Sequence, residues 1–157
     1  MHLKSEEYSR LVRKITDLTD RYQPIGTEYY SALHDYGTGV LYTSTEVHMV
    51  TRIEENPGIT ASKIAEDTNR TKSAVSQMIS KLEAKGLIYR EKDPGNGKQF
   101  FLYVTPKGNH LSLCHKAYDE TATPIKEIVE RFGPEAVQNY IDIVEYMIAE
   151  YTKRKKK

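Results

Sequence analysis

Hydrophobic residues recur at three- and four-residue steps near the start of the chain, which is the spacing of an amphipathic helix. The repeat covers residues 6–34, and its apolar positions are Tyr8, Leu11, Val12, Ile15, Leu18, Tyr22 and Ile25. Pro24 and Gly26 lie inside this segment. We expect them to bend or interrupt the helix, because proline lacks a backbone donor and disfavours the helix interior. Gly37 and Gly39 then mark a loop.

Three short helices are predicted next by their capping residues. Thr43 and Glu46 have the spacing of a capping box at the start of the first of them. Thr60 and Thr71 are the expected N-caps of the second and third, and Gly86 is the expected left-handed cap that ends the third. The positions expected to face inward are Val47, Val50, Ile53, Ile64, Ala65, Val75, Met78 or Ile79, and Leu82.

The pattern then changes to short runs of β-forming residues. Residues 87–92 and 99–104 predict two strands, and the segment 93–98 between them contains an Asn-Gly pair that is typical of a hairpin turn. Three short helices followed by a hairpin with a basic tip indicate a winged helix-turn-helix over residues 43–105.

Two further helices are predicted after the hairpin. One begins at Pro106 and continues until Pro124 breaks or kinks it, and Gly133 separates it from the last helix. Pro134 takes the first position of the last helix. Its apolar positions are Val137, Tyr140, Ile141, Val144, Met147, Ile148 and Tyr151. The expected fold class is mainly α with a small β-hairpin wing (α+β), in a single domain over residues 1–157.

The first and last helical segments, residues 6–34 and 106–152, carry wide apolar stripes that a small winged-helix module does not need. We expect these segments to pack on each other and on a second copy of the chain with two-fold symmetry. The alternative is that they complete the core of a monomer.

Composition limits the class of protein. Hydrophobic residues make up 38% of the 157 residues and charged residues 29%, which is typical of a globular protein. The chain has no apolar run of the roughly 18 residues that a membrane span needs, and it starts without an apolar signal region. The single cysteine, Cys114, cannot form an internal disulfide. We therefore expect a cytoplasmic, bacterial protein that does not bind membranes.

The net charge of +1 conceals a segregation of charge along the chain. Between residues 60 and 104, eight Lys and Arg side chains stand against five Asp and Glu side chains, and residues 153–157 form a basic tail. The remainder of the chain is therefore acidic. Such segregation favours a polyanion as partner. A disordered, solubilising segment explains the tail alone equally well.

Residues 59–65 and 81–88 resemble the MarR family, and Thr105-Pro106-Lys107-Gly108 resembles the LTxxG motif that leads from wing to dimer helix in that family. The order of predicted elements agrees over nearly the whole chain. The resemblance implies a triangular homodimer in which each recognition helix enters the major groove while the wing approaches the minor groove. The family's wing commonly carries an Asp-Arg pair near its tip, where this chain has Asn96-Gly97-Lys98. Because lysine lacks a planar guanidinium, we expect Lys98 to anchor a phosphate rather than to read the minor groove.

The helix after Thr71 presents the candidate DNA-binding side chains. Short hydroxyl residues let the helix approach DNA closely, and its N-terminal amides favour phosphate. Gln77 is expected to bond adenine in a bidentate manner, and Lys72 and Lys81 to contact phosphates. The full set is Thr71, Lys72, Ser73, Ser76, Gln77 and Lys81 on the helix, with Arg90, Lys92 and Lys98 on the wing. The alternative is an ordinary polar helix face.

Tyrosines concentrate along the first helix and the loop after it. Among the 12 tyrosines of the chain, the candidates in this region are Tyr22, Tyr29, Tyr30, Tyr36 and Tyr42. In MarR proteins the cleft between dimer helices and winged helix binds small effectors, for which tyrosine supplies apolar walls with a polar handle. The resemblance therefore implies an effector pocket at these residues. Interface packing is an equally good interpretation.

Two sensor alternatives depend on histidine and cysteine. His110 and Cys114 are four residues apart and would share a helix face, as metal ligands can, and the further candidates are His115 and, from the capped helix, His48 or Glu46. Scattered histidines are more often partnered core or interface residues, and we predict no metal site and no cofactor. A thiol switch is also disfavoured, because a cysteine among Leu111, Leu113 and Tyr118 is typically a small buried hydrophobe.

Enzyme motifs are absent from the sequence. Gly97-Lys98 lacks the upstream glycine of a phosphate-binding P-loop, no G-x-S-x-G occurs, and the lone cysteine has no recognisable catalytic partner. We predict a ligand-responsive repressor, not an enzyme, that binds a double-stranded, pseudo-palindromic operator as a homodimer. The alternatives are a zinc- or redox-sensing regulator of the same fold and a winged-helix protein-interaction module that does not bind DNA.

Overall fold

The computed structural model describes residues 5–95, 99–122 and 124–155. The described elements, in chain order, are α1 (Ser5–Ser31), β1 (Leu33–Asp35), β2 (Leu41–Thr43), α2 (Ser44–Glu55), β3 (Ile59–Thr60), α3 (Ala61–Asp67), α4 (Lys72–Ala84), β4 (Ile88–Lys92), β5 (Phe100–Val104), α5 (Pro106–Ala122), α6 (Pro124–Phe132) and α7 (Pro134–Lys155). This is the mainly helical architecture with a small β wing that the sequence predicts. The residues group into two compact units, Met1–Cys114 and His115–Lys157.

The first helix is continuous from Ser5 to Ser31, with Pro24 inside it. The expected interruption at Pro24 and Gly26 is therefore wrong. Proline removes one backbone donor, whereas the apolar stripe continues past it at Ile25, so the amphipathic pattern outweighs the local cost. The helix also ends before residues 33–35, which form a strand instead.

The loop predicted at Gly37 and Gly39 is the turn of a small hairpin. Strands β1 and β2 pair antiparallel, with His34 opposite Tyr42. One carboxylate oxygen of Asp35 accepts hydrogen bonds from the backbone N–H groups of residues 37, 38 and 39 at 2.8–3.1 Å. Both glycines have positive φ, which a β-carbon would disfavour.

Helices α2, α3 and α4 begin at the predicted caps. The Thr43 side chain accepts from the Glu46 N–H while the Glu46 carboxylate accepts from the Thr43 N–H, completing the capping box. Thr60 and Thr71 cap α3 and α4, and Gly86 has φ +68° after α4. Of the two alternatives on α4, Ile79 is the buried residue and Met78 is half-buried.

The wing contains one more strand than the sequence indicates. Strands β4 and β5 pair antiparallel as predicted, with Ile88 opposite Val104, and the two-residue β3 adds to the other edge of β5. The inner faces of the three short helices and the sheet together form the core of this unit. Its fully buried side chains include Val47, Val50, Ile53, Ile64, Val75, Leu82, Leu87, Ile88, Leu102 and Leu111.

The second unit contains α6 and α7, and Pro124, where the sequence predicts a break or kink, begins a helix of its own. Helix α6 ends at Phe132, Gly133 has φ +81°, and Pro134 begins α7 as predicted. Within the described residues, no helix combines the length and apolar character needed to cross a membrane.

Candidate nucleic-acid interface

Helix α4 has one apolar face and one polar face. Val75, Ile79 and Leu82 are buried, whereas the hydroxyl and amide side chains on the other side are exposed. The exposed set includes Ser73, Ser76, Gln77 and Ser80, together with Lys72 in the first turn. The structure thus brings together on one accessible surface most of the helical residues predicted to contact DNA.

Thr71 has a structural task at the start of α4. Its hydroxyl accepts from the Ala74 N–H at 3.2 Å and so satisfies one of the unpaired donors of the first turn. The residue is exposed, and the remaining N-terminal amides of α4 lie beside it. This end of the helix suits an anion such as a phosphate.

Lys81 is engaged inside the molecule, which its sequence position does not reveal. Its Nζ lies 2.9 Å from Oε1 of Glu46, and the Nζ of Lys85 lies 2.7 Å from the same oxygen. The Glu46 side chain is fully buried, while Lys81 remains about half exposed. Lys85 also stands 5.2 Å from the ring centroid of Tyr42.

Glu46 keeps its charge despite its burial. Burial raises the pKa of the carboxyl, but hydrogen bonds from Lys85, the Thr43 N–H and Lys81 outweigh it, so the pKa lies below its usual value. Burial and the neighbouring Glu46 charge raise the pKa of the Tyr42 phenol. A buried carboxylate therefore joins the first turn of α2 to the last two turns of α4.

Arg90 is another predicted DNA contact that has internal partners. Its guanidinium donates to Ser80 Oγ at 3.0 Å and lies 3.1 Å from a carboxylate oxygen of Glu83. Its Nε is buried and has no hydrogen-bond partner within the part of the chain that the structure describes. Arg90 therefore ties the first wing strand to the exposed side of α4.

A groove of about 300 Å³ lies beside the contact between Arg90 and α4. It runs between the start of α3, the Ser76 side of α4, and Gln99 and Phe100 at the start of β5. On the wing, Lys92 is exposed at the end of β4, whereas Lys98 lies outside the described residues.

The segment Thr105-Pro106-Lys107-Gly108 joins the wing to α5 through several contacts. The Thr105 hydroxyl donates to the Gly86 carbonyl at 2.7 Å and accepts from the Gly108 N–H at 3.1 Å. Lys107 Nζ donates to the Lys85 carbonyl at 2.9 Å. These contacts connect the end of α4 to the start of the next helix.

The tyrosines predicted to form an effector pocket divide into two groups. Tyr36 and Tyr42 are buried, and the Tyr36 hydroxyl lies 3.0 Å from Ser44 Oγ, so both belong to the interior rather than to an open cleft. Tyr22, Tyr29 and Tyr30 are exposed on α1.

Histidines extend the exposed aromatic group at the end of α1. The ring centroids of Tyr29 and Tyr30 are 5.6 Å apart, Tyr29 is 5.2 Å from His34, and Tyr30 is 6.1 Å from His48. The sequence pattern singled out the tyrosines, but the two histidines beside them were missed as members of this cluster. The β1–β2 hairpin and α2 bring them there.

His110 and Cys114 face each other on α5, with Sγ 3.7 Å from Nε2. His48 lies instead in the aromatic cluster, and His115 is buried 3.4 Å from Asp119. Among the residues that the structure describes, no three His, Cys, Asp or Glu side chains converge in a way that could hold a metal ion.

Comparison with known proteins adds to this geometry. The sequence model of the MarR family matches residues 42–100. The uncharacterized HTH-type transcriptional regulator YhjH of Bacillus subtilis is 33% identical over 88 residues, which cover 56% of this chain and 50% of YhjH. The chain thus spans about half the length of this curated relative.

Two solved structures share the fold. FabT of Streptococcus pneumoniae, in complex with DNA, matches with a TM-score of 0.65 at 18% identity and covers 93% of this chain and 98% of its own. PcaV of Streptomyces coelicolor, in complex with its natural ligand, matches with a TM-score of 0.69 at 15% identity and covers 84% and 89%. Residues 42–100, which contain the helices and strands of the winged helix-turn-helix, thus match the MarR family in sequence, and the chain shares the fold of these two solved structures.

Proposed function

We propose that this protein is a transcription regulator that binds a pseudo-palindromic DNA operator as a homodimer and uses α4 as its recognition helix. The single observation that carries the proposal is the exposed face of α4. It presents Ser73, Ser76 and Gln77 near the N-terminus of the helix, and the wing stands next to it.

This face has the chemistry that the major groove requires. Small hydroxyl side chains permit close approach of the helix, and Gln77 offers a donor and an acceptor that match adenine N7 and N6. Lys72 at the start of α4 and Lys92 at the end of β4 are exposed, and their ammonium groups suit phosphates. Lys98 stays a predicted phosphate contact. The relative FabT was solved in complex with DNA, which supports the same use of the fold here.

Apolar surface supports the homodimer. Helix α1 exposes Tyr8, Leu11, Val12, Ile15, Leu18, Tyr22 and Ile25, and α7 exposes Tyr140, Ile141, Ile143, Tyr146, Ile148 and Tyr151. Contiguous exposed apolar stripes of this extent are typical of an interface. A symmetric dimer would present two copies of α4 to successive turns of one face of DNA.

The exposed aromatic cluster supports a small-molecule effector. Tyr29, Tyr30, His34 and His48 combine apolar rings with polar atoms near the end of α1, and PcaV was solved with its natural ligand. An effector that binds preferentially to a dimer whose two α4 helices are wrongly spaced for DNA would release the operator. Without the effector, the protein would bind the operator and repress transcription. The factor by which the effector weakens DNA binding cannot exceed the ratio of its affinities for the two dimer geometries.

The proposal is tested by measuring binding of the purified full chain to the DNA upstream of its own gene and to a scrambled duplex of equal length, across a salt series. We expect tight binding to the upstream fragment alone, weakening steeply as salt rises because phosphate contacts release counterions. The same assay then screens small aromatic molecules for release.

Equal, weak binding to both fragments at every salt concentration would contradict the proposal. It would favour the alternative of a winged-helix module that binds other proteins. Zinc recovered with the purified protein in stoichiometric amount would favour the metal-sensing alternative instead.

A further inference from the structure

Glu46 is a buried charge at the junction of α2 and α4. Its side chain has no exposed surface, and all three of its partners are close. One carboxylate oxygen is 2.9 Å from Lys81 Nζ and 2.7 Å from Lys85 Nζ, and the other accepts the Thr43 N–H at 3.0 Å. Lys85 and Glu46 are 39 residues apart along the chain, so the contact is entirely tertiary.

Lys81 lies in the last turn of α4, and Lys85, four residues later, is the C-cap residue that ends the helix. The Glu46 carboxylate thus contacts α4 at Lys81 and at its C-cap residue Lys85, and the two contacts together resist rotation of the helix about its axis. The buried side chains Val75, Ile79 and Leu82 set the distance of α4 from the core, but apolar contacts have no directional preference.

Rotation matters at the exposed face of the same helix. With side chains, a helix has a radius of about 5–6 Å, so a rotation of roughly 20° moves a side-chain tip by about 2 Å. Such a displacement exceeds what a hydrogen bond tolerates. Gln77 would then lose the geometry for bidentate contact with a base.

We infer that Glu46 is a positioning residue that fixes the rotation of α4 and thereby the sequence specificity of DNA binding. Lys81 and Lys85 act through Glu46 in holding the helix, and Lys81 is not one of the phosphate contacts. A buried ion pair is weak evidence for stability but can specify one geometry among alternatives, which is the use inferred here. In its DNA-binding part, the inference rests on the proposed function.

Glu46→Gln is the first test variant, with Glu66→Gln as its matched control. Glutamine preserves size, but its single acceptor oxygen cannot serve both the lysines and the Thr43 N–H. Glu66 is exposed on α3, and its replacement removes the same charge from the same unit. Circular dichroism and thermal unfolding confirm that both variants are folded at the assay temperature.

Charge alone predicts that both variants bind DNA more tightly, because each loses one negative charge. The inference predicts that Glu46→Gln binds the specific duplex about tenfold more weakly relative to the scrambled duplex, while its affinity for the scrambled duplex is unchanged or higher. Glu66→Gln should keep the wild-type ratio. An unchanged ratio in folded Glu46→Gln would overturn the inference.

Lys81→Met is the second variant, and it leaves Glu46 paired with Lys85. If Lys81 contacts a phosphate, Lys81→Met should make the slope of log affinity against log salt concentration shallower by about 1. As a positioning residue, it should leave that slope unchanged and lower only the ratio of specific to non-specific affinity. A reduced slope with an unchanged ratio would overturn the inference.

A measurement without DNA separates this inference from the proposed function. Residual dipolar couplings of backbone amides report the orientation of α4 relative to α2 in the free protein. We expect them to change for α4 in Glu46→Gln and to stay as in wild type in Glu66→Gln. Unchanged couplings would overturn the positioning role even if the wild-type protein proved to bind no specific DNA.

Discussion

Gly108 shows how one residue can fix the junction between two elements. A β-carbon built on it would collide with the carbonyl oxygen of Leu87, at the point where the chain enters the wing. The Thr105 hydroxyl accepts the Gly108 N–H and holds the same approach from the other side. The glycine of this motif is therefore required by space, because its backbone lies directly against that of another segment.

Gly108→Ala is predicted to destabilise the protein by about 1–3 kcal/mol, because the backbone must move to admit a methyl group. Gly95→Ala is the control, since among the described residues a β-carbon there meets the Asp93 carboxylate at an ordinary 3.5 Å. It should change stability by less than about 0.5 kcal/mol. Chemical denaturation at one fixed protein concentration measures both. Equal stabilities of the two variants would show that the junction can relax.

Residue types predicted the face of α4 but not the partners of individual charges. Lys81 and Arg90 were predicted to contact DNA because both are basic and lie on the helix or wing. The structure pairs them with Glu46 and Glu83, and these pairings depend on how α2, α4 and β4 pack. The burial of Tyr36 was not predicted either, because the residue type does not distinguish a tyrosine of the core from one that lines a pocket.

At the scale of elements, the sequence predicted those helix starts that depend on residues close together along the chain. The caps Thr43, Thr60 and Thr71 gave the starts of three helices, because a capping hydroxyl and the amide it accepts are only a few residues apart. The strand β3 was missed because two residues carry no periodicity and become a strand only by pairing with β5. Pro24 misled the prediction for α1, since the rest of the helix compensates for one lost donor.

Elements also explain which part of the candidate site has a defined geometry. Helix α4 is held to α2 by Glu46, to β4 by Arg90 and to the first turn of α5 by Lys107, which donates to the Lys85 carbonyl. The side chains that face outward from α4 are thus presented by a helix anchored on three sides. This rigidity is what base recognition requires of a binding surface.

At the scale of the whole molecule, the proposed palindromic operator requires a dimer, because one copy of α4 would contact only half of it. Ile15→Glu places a charge in the apolar stripe of α1, where Ile15 is 58% exposed. We expect this variant to sediment as a monomer at concentrations where the wild type is a dimer, because burying an unpaired carboxylate is costly.

Thr16→Glu adds the same charge one residue further on, outside the stripe, and should leave the dimer intact. Analytical ultracentrifugation distinguishes the two species. A wild-type protein that sediments as a monomer would contradict the symmetric arrangement, and so would an equally stable Ile15→Glu dimer.

The most direct test of the central claim is selection of binding sites from a library of random DNA duplexes, with wild type, Gln77→Ala and Gln138→Ala in parallel. Gln138 is an exposed glutamine on α7, so its replacement controls for loss of a surface amide. We expect wild type and Gln138→Ala to enrich one inverted repeat with half-site centres about 10 bp apart. Gln77→Ala should lose a base preference at one position of each half-site, for which adenine is expected. Failure of the wild type to enrich any sequence, or an identical enriched site for Gln77→Ala, would contradict the central claim.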